Sequence, residues 1–257
     1  MFGFVRASTV GLVITLIVAI AVGVIFAIDP SLDVKIAVFF RTEPARGYVV
    51  AMQPVVDVLR DVNRAYFVCF ILIAAISLVI RLVWPLAPML FPSKSALLIV
   101  GVTLLAPVLV TEGILKPYWS RPRPLQIVEL GGVQQFAPWW QTRGPCKKNC
   151  SFVSSEVVTA FSMIAVALGV PLSWQPLWVG GALIFGFIMA AVRLTADAHF
   201  FTDVVFAAVL ACLAVWFVHG LLYRWKRTAI SDAKTDAAIA KFAQSLRKPR
   251  PGRRGAG

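Results

Sequence analysis

Leu177–Ala191 reads LWVGGALIFGFIMAA, Val204–Tyr223 reads VVFAAVLACLAVWFVHGLLY, and Arg193-Leu-Thr-Ala-Asp197-Ala-His199-Phe-Phe-Thr-Asp203 runs between them. Two apolar runs around a short polar turn predict a helical hairpin that enters and leaves a hydrocarbon core of roughly 30 Å. Four further apolar stretches lie upstream, near Ser8–Ile28, Ala65–Trp84, Ser95–Leu115 and Phe152–Leu172. The expected fold is therefore all-α: a polytopic membrane protein with six transmembrane helices. Arg6 precedes the first run as in a secretory signal, but no small-x-small cleavage site follows, so it reads as an uncleaved helix.

Composition agrees. Of 257 residues, 59% are apolar and 14% charged, where a soluble domain carries about a quarter charged. The net charge of +13 is concentrated beyond Leu222, in Arg224, Lys226, Arg227 and the residues that follow. This divides the chain into a membrane domain over 1–223 and a basic tail over 224–257, with no repeat. Nucleic acid is excluded as a partner because the charge is not spread over a folded face. The positive-inside rule puts the tail, and by six-span parity both termini, in the cytoplasm. The tail holds an amphipathic segment around Ala237–Leu246, suited to anionic lipids, and Lys248–Gly257 lacks the apolar content to fold.

Pro30–Arg64 is too polar to cross a bilayer. Its Val49, Val50, Met52, Val55, Val56 and Leu59 alternate with Asp57, Arg60 and Asp61 at helical spacing, which predicts an interfacial helix between the first two spans. Trp84, Trp119, Trp139, Trp140, Trp174 and Trp225 fall near helix ends, as headgroup-level rings would. Cys69 and Cys212 fall inside spans. Cys146 and Cys150 share an outward loop, where an oxidising compartment permits a disulfide.

Three polar stretches face the outer side by the same parity: Lys116-Pro-Tyr-Trp-Ser-Arg121-Pro-Arg123-Pro124, Ser151-Phe-Val-Ser154-Ser155-Glu156, and Arg193 to Asp203. Ionisable groups at membrane depth are costly and mark function. Lys116, Arg123 and Arg193 suit a dianionic tetrahedral group, since guanidinium forks match phosphate oxygens. Backbone N–H groups at the start of the fourth helix, with the Ser154 and Ser155 hydroxyls, add an oxyanion cradle. His199 and Asp203 are one helical turn apart, so the carboxylate is expected to take a proton from one imidazole nitrogen and leave the other bare as nucleophile. Arg121 reads as a headgroup anchor, with a second phosphate ligand as the alternative. Asp197 reads as a loop cap that alternatively tunes His199, and Glu112 as the partner of Lys116 or a residue lining the pocket.

Lys116-x6-Arg123-Pro124 and Arg193-x5-His199-x3-Asp203 resemble the first and third signatures of the type 2 phosphatidic acid phosphatase (PAP2) family. The resemblance implies a six-span helical core and phosphate binding by Lys116, Arg123, Arg193 and Ser154. It further implies a phosphohistidine on His199 oriented by Asp203, with no metal or cofactor. The second signature departs from the family: Val153-Ser154-Ser155-Glu156 stands where Pro-Ser-Gly-His is usual, and Val192 replaces a serine. Glu156 thus occupies the slot of the histidine that protonates the leaving alcohol. It is expected to take that role, with water positioning or helix-dipole pairing as alternatives.

The resulting expectation is a bacterial inner-membrane lipid phosphatase with a periplasmic site, acting on a lipid A phosphate, undecaprenyl diphosphate or phosphatidylglycerophosphate, the first slightly favoured. The rivals are a lipid-phosphate binding or transport protein that has lost turnover, and a vanadate-dependent haloperoxidase.

Overall fold

A computed structural model describes residues 2–41, 47, 50, 52–84 and 92–247. The expected unfolded segment Lys248–Gly257 and Val49 of the expected interfacial helix lie outside the described residues. The described residues are helical, without strands. The elements are α1 (Phe2–Ile28), α2 (Ser31–Phe39), α3 (Gln53–Val83) and α4 (Ser93–Thr103). A π-helical stretch (Leu104–Leu115) and α5 (Lys116–Trp119) continue α4, followed by α6 (Ser155–Ser162), α7 (Ile164–Ala167), α8 (Gln175–Thr195), α9 (Phe201–His219) and α10 (Asp232–Arg247).

Among the described residues, five helices are long and apolar enough to cross a membrane: Thr9–Ile28, Gln53–Val83, Ser93–Gln126, Gln175–Thr195 and Phe201–Arg224. The expected fourth span is shorter. Its helical part, Ser155–Ala167, covers only about 20 Å at 1.5 Å per residue and is interrupted at Met163. Val157, Val158, Ala160, Phe161, Ala165 and Val166 are all buried. Apart from Ser155, Glu156, Thr159 and Ser162 the segment is apolar, and it packs with Ala106, Val204, Ala207, Ala211 and Ala214 in a core cluster enclosed by other helices. Hydropathy alone reads such a helix and its apolar flanks as one span.

The expected interfacial helix also takes a different form. Gln53–Arg64 is continuous with the second span in a 31-residue helix, about 46 Å long. That exceeds the hydrocarbon thickness, so the end bearing Asp57, Arg60, Asp61 and Arg64 extends past it. Pro54 in its first turn suits this start, since the missing N–H has no intrahelical acceptor there.

The long helices place their polar ends in two groups. At one end Arg81 pairs with Asp236 at 3.2 Å and Lys94 with Asp232 at 3.4 Å, docking α10 on α3 and α4. At the other end lie Lys116, the start of α6, Arg193 and the start of α9. Trp84 and Trp174 are exposed at helix ends as expected. Trp119 instead stacks on Phe152, Trp139 packs on Phe206 and Trp225 meets Trp216.

Close packing of α8 on α6 depends on Gly186, where an added Cβ would lie 2.7 Å from the Phe161 ring. Gly186→Val should therefore lower stability by about 1–3 kcal/mol, the usual cost of overpacking, seen as a lower melting temperature in detergent. An unchanged melting temperature would contradict this packing.

Candidate active site

Ser151 ties the second polar stretch to the other two. Its backbone N–H donates to the Arg121 carbonyl at 2.8 Å, its hydroxyl donates to Asp203 Oδ2 at 2.5 Å, and its carbonyl lies 2.8 Å from His199 Nδ1. A carbonyl only accepts, so His199 Nδ1 carries the proton and Nε2 is the free basic nitrogen. This corrects the expected direct pairing: Asp203 Oδ2 is 3.9 Å from Nδ1 and reaches the imidazole through the Ser151 hydroxyl, itself 3.3 Å from Nδ1. Asp203, in the first turn of α9, also accepts the Phe200 N–H at 2.8 Å, which fixes the loop bearing His199.

His199 is almost fully buried. Burial first, and then the positive charges of Arg193, Arg123 and Lys116, hold its pKa well below 6.5, against a smaller opposing effect from the Ser151 carbonyl. The three cations expected at a phosphate thus all act on the imidazole: Lys116 from the start of α5, Arg123 from the extended stretch that follows α5, and Arg193 from the last turn of α8. Each is held in place. Lys116 donates to Glu112 Oε1 at 2.7 Å, as expected, and Ser155 Oγ donates to the same oxygen at 2.5 Å. Arg123 donates to the Asn149 carbonyl and side chain at 2.9 and 2.7 Å. Asn149 sits at φ 57, a left-handed conformation that asparagine tolerates, inside the loop closed by the Cys146–Cys150 disulfide.

Glu156 projects from the first turn of α6 into an arginine pair. It accepts from Arg60 Nε and NH2 through both oxygens at 3.2–3.3 Å and lies 3.2 Å from Arg193 NH1. Arg60 belongs to the projecting end of α3, and the sequence gives no motif by which to select it. Asn63, one turn on, donates to the Glu156 carbonyl and to Thr159 at 3.1 Å.

The polar groups buried here without a hydrogen-bond partner include Ser154 Oγ and Arg193 Nε. Unpaired buried donors cost free energy, and both suit an oxyanion acceptor, as do the first-turn N–H groups of α6. Arg121 is neither headgroup anchor nor phosphate ligand. It is the largest fully buried side chain among the described residues, paired with Asp203 at 2.6 Å and Asp33 at 2.8 Å. Asp197 adopts φ 51 and pairs with Arg41 at 3.0 Å, consistent with a loop role. A cavity of about 440 Å³ between α3 and α8, lined by Val62, Tyr66, Leu177, Trp178 and Phe185 among others, is apolar and contains none of these groups.

The PAP2 superfamily model matches residues 96–227. The chain belongs to the PAP2 superfamily. All three polar stretches lie inside the match, whereas Arg60 and Asp33 lie before it. This PAP2 phosphatase is 26% identical over 217 residues to the lipid A 4'-phosphatase of Francisella tularensis subsp. novicida (strain U112), covering 84% of the chain and 97% of the relative. It is 37% identical over 120 residues to the lipid A 4'-phosphatase of Rhizobium leguminosarum, covering 43% of the chain and 52% of the relative. The lipid A 4'-phosphatase of Rhizobium etli (strain ATCC 51251 / DSM 11541 / JCM 21823 / NBRC 15573 / CFN 42) is 38% identical over 120 residues, 43% of the chain and 47% of the relative. No solved structure matches the chain significantly.

With two histidines in the chain, His219→Gln leaves His199 as the only imidazole in untagged protein. Its ring resonances should report a neutral Nδ1–H tautomer at pH 6, because folding disfavours the imidazolium. The same linkage makes stability decline as pH falls below the unfolded value near 6.5. A His199 titration midpoint at or above 6.5 would contradict the site geometry.

Proposed function

We propose that this membrane lipid phosphatase hydrolyses the phosphate monoester of a lipid A phosphate through a phosphohistidine on His199. The observation that carries the mechanism is the pairing of a buried imidazole, its Nε2 left free by the Ser151 carbonyl, with three cations acting on it. The lipid preference draws support from the names of the three relatives.

In this mechanism Lys116, Arg123 and Arg193 bind the phosphate, assisted by Ser154, Ser155 and the α6 N-terminus. They stabilise the equatorial oxygens as charge redistributes in the transition state. The Nε2 lone pair forms an N–P bond while the P–O bond to the lipid breaks. The incoming dianion competes with Glu156 for Arg193, which frees the Glu156 carboxyl to act as the general acid. Its proton passes to the leaving alkoxide. Glu156 then takes a proton from water as the water oxygen attacks phosphorus. The N–P bond breaks, neutral His199 is restored and hydrogen phosphate leaves. No cofactor enters this sequence.

The proposed topology counts the buried α6–α7 segment with its flanks as a sixth crossing. Both termini and α10 then lie in the cytoplasm of a bacterial inner membrane, and the site opens to the periplasm. The Cys146–Cys150 disulfide on the site side agrees with an oxidising compartment. The basic tail is placed to contact anionic lipids.

A panel of lipid A phosphates, undecaprenyl diphosphate and phosphatidylglycerophosphate offered to purified protein should give phosphate release, fastest with lipid A phosphates and abolished by His199→Ala. Binding without release would favour the lipid-phosphate carrier reading, which the replacement of the usual histidine by an ion-paired Glu156 keeps in view. Halide oxidation in the presence of vanadate would favour a haloperoxidase.

Glu156→Gln should slow an alkyl phosphate ester by about a hundredfold, within the usual range for general acid catalysis, and an activated aryl phosphate far less. Equal losses with both would contradict proton donation by Glu156.

A further inference from the structure

Asp33 lies in α2, ahead of the family match, and is 1% exposed. Its Oδ1 accepts the Thr202 N–H at 3.0 Å. Its Oδ2 accepts the Thr202 hydroxyl at 2.5 Å and Arg121 NH2 at 2.8 Å. On its other edge, Arg121 NH1 donates to Asp203 Oδ1 at 2.6 Å and to Thr202 Oγ1 at 2.7 Å. Arg121 Nε donates to the Ala137 carbonyl at 2.8 Å, and the guanidinium lies 4.5 Å from the Phe200 ring centroid. Asp33, Arg121, Thr202 and Asp203 are all at 1% exposure or less.

We infer that Asp33 is a positioning residue for the phosphoryl-transfer step, sharing Arg121 with Asp203 so that the Asp203 charge beside Ser151 and His199 is only partly compensated. The inference rests on His199 as nucleophile. One guanidinium between two carboxylates leaves the buried group with a net charge of minus one. Attack through Nε2 makes the His199 ring cationic, and the positive charges of Arg193, Arg123 and Lys116 all oppose that charge. The countercharge is Asp203, joined to the ring by the Ser151 hydroxyl. If Asp33 were neutral, Arg121 would compensate Asp203 and weaken its field at the ring, and such fields are strong where water is excluded. Asp33 also holds the Thr202 backbone, so the same contacts fix the residue adjoining Asp203.

The effect should appear in turnover and leave phosphate affinity intact, because Asp33 touches none of the phosphate-binding cations. The experiment compares full-length wild type, Asp33→Asn, Arg121→Lys and His199→Ala in detergent with one lipid phosphate. It measures kcat, KM and the inhibition constant of inorganic phosphate. Asp33→Asn should lower kcat by about tenfold or more, as for other residues that act through a catalytic histidine, with KM and the phosphate inhibition constant within about threefold. Asp33→Glu should recover part of kcat by restoring the charge.

Arg121→Lys keeps one charge but loses the fork that spans both carboxylates, so it should reproduce the kcat loss and decides the matter if Asp33→Asn does not fold. Wild-type kcat in either folded variant would overturn the inference. So would loss of kcat and phosphate affinity in step, which marks general disruption. Turnover surviving in His199→Ala would instead remove the nucleophile assignment, a separate failure.

Discussion

A buried imidazole among three cations can act as a nucleophile only if it is uncharged and presents a chosen nitrogen. One hydrogen bond, from His199 Nδ1 to the Ser151 carbonyl at 2.8 Å, meets the second condition, and burial with the surrounding positive charge meets the first. The same cations that suit a phosphate thus keep the attacking ring in its reactive form. The site tolerates this concentration of charge because most of it is paired or hydrogen-bonded, as buried charge must be. Glu112 holds Lys116, Glu156 holds Arg60 and Arg193, and Asp33 with Asp203 holds Arg121.

The arrangement also gives the short α6–α7 segment a reason to be buried. Its first turn supplies Ser154, Ser155 and Glu156, and backbone contact between Ser154 N–H and the Asp203 carbonyl at 3.3 Å joins it to α9. A helix exposed to lipid would have room to shift. One enclosed by α3, α8, α9 and the π-helical stretch holds its N-terminus at a fixed place among the cations, and preorganisation of this kind is where electrostatic catalysis gains most.

Much of this was legible in the sequence. The helical class and five of the six apolar stretches agree with the structure, because long apolar runs admit few other folds. Parity placed Lys116, Arg123, Arg193 and His199 on one side, and the structure has all three cations acting on the imidazole. What was not legible depends on contacts across the chain. Phe152–Leu172 is as apolar as a span, and only its neighbours reveal that its helical part is short and enclosed by other helices. Arg121, followed by Pro122 in a polar turn, reads as an anchor in the sequence; its partner Asp33 lies 88 positions away. Arg60 carries no local signal of its pairing with Glu156, and Ser151, quoted within a motif, had no role until its carbonyl met His199. The i,i+4 spacing of His199 and Asp203 suggested a direct bond, yet the serine stands between them.

The central claim is that His199 becomes covalently phosphorylated. Single-turnover quenching with a lipid phosphate, followed by peptide mass spectrometry under alkaline conditions, tests it directly. The account predicts one acid-labile, alkali-stable phosphoryl group on His199, formed before phosphate is released and absent from a His199→Asn protein. Phosphate release in a single turnover with the phosphoryl group on another residue, or with no adduct at any time point, would contradict it.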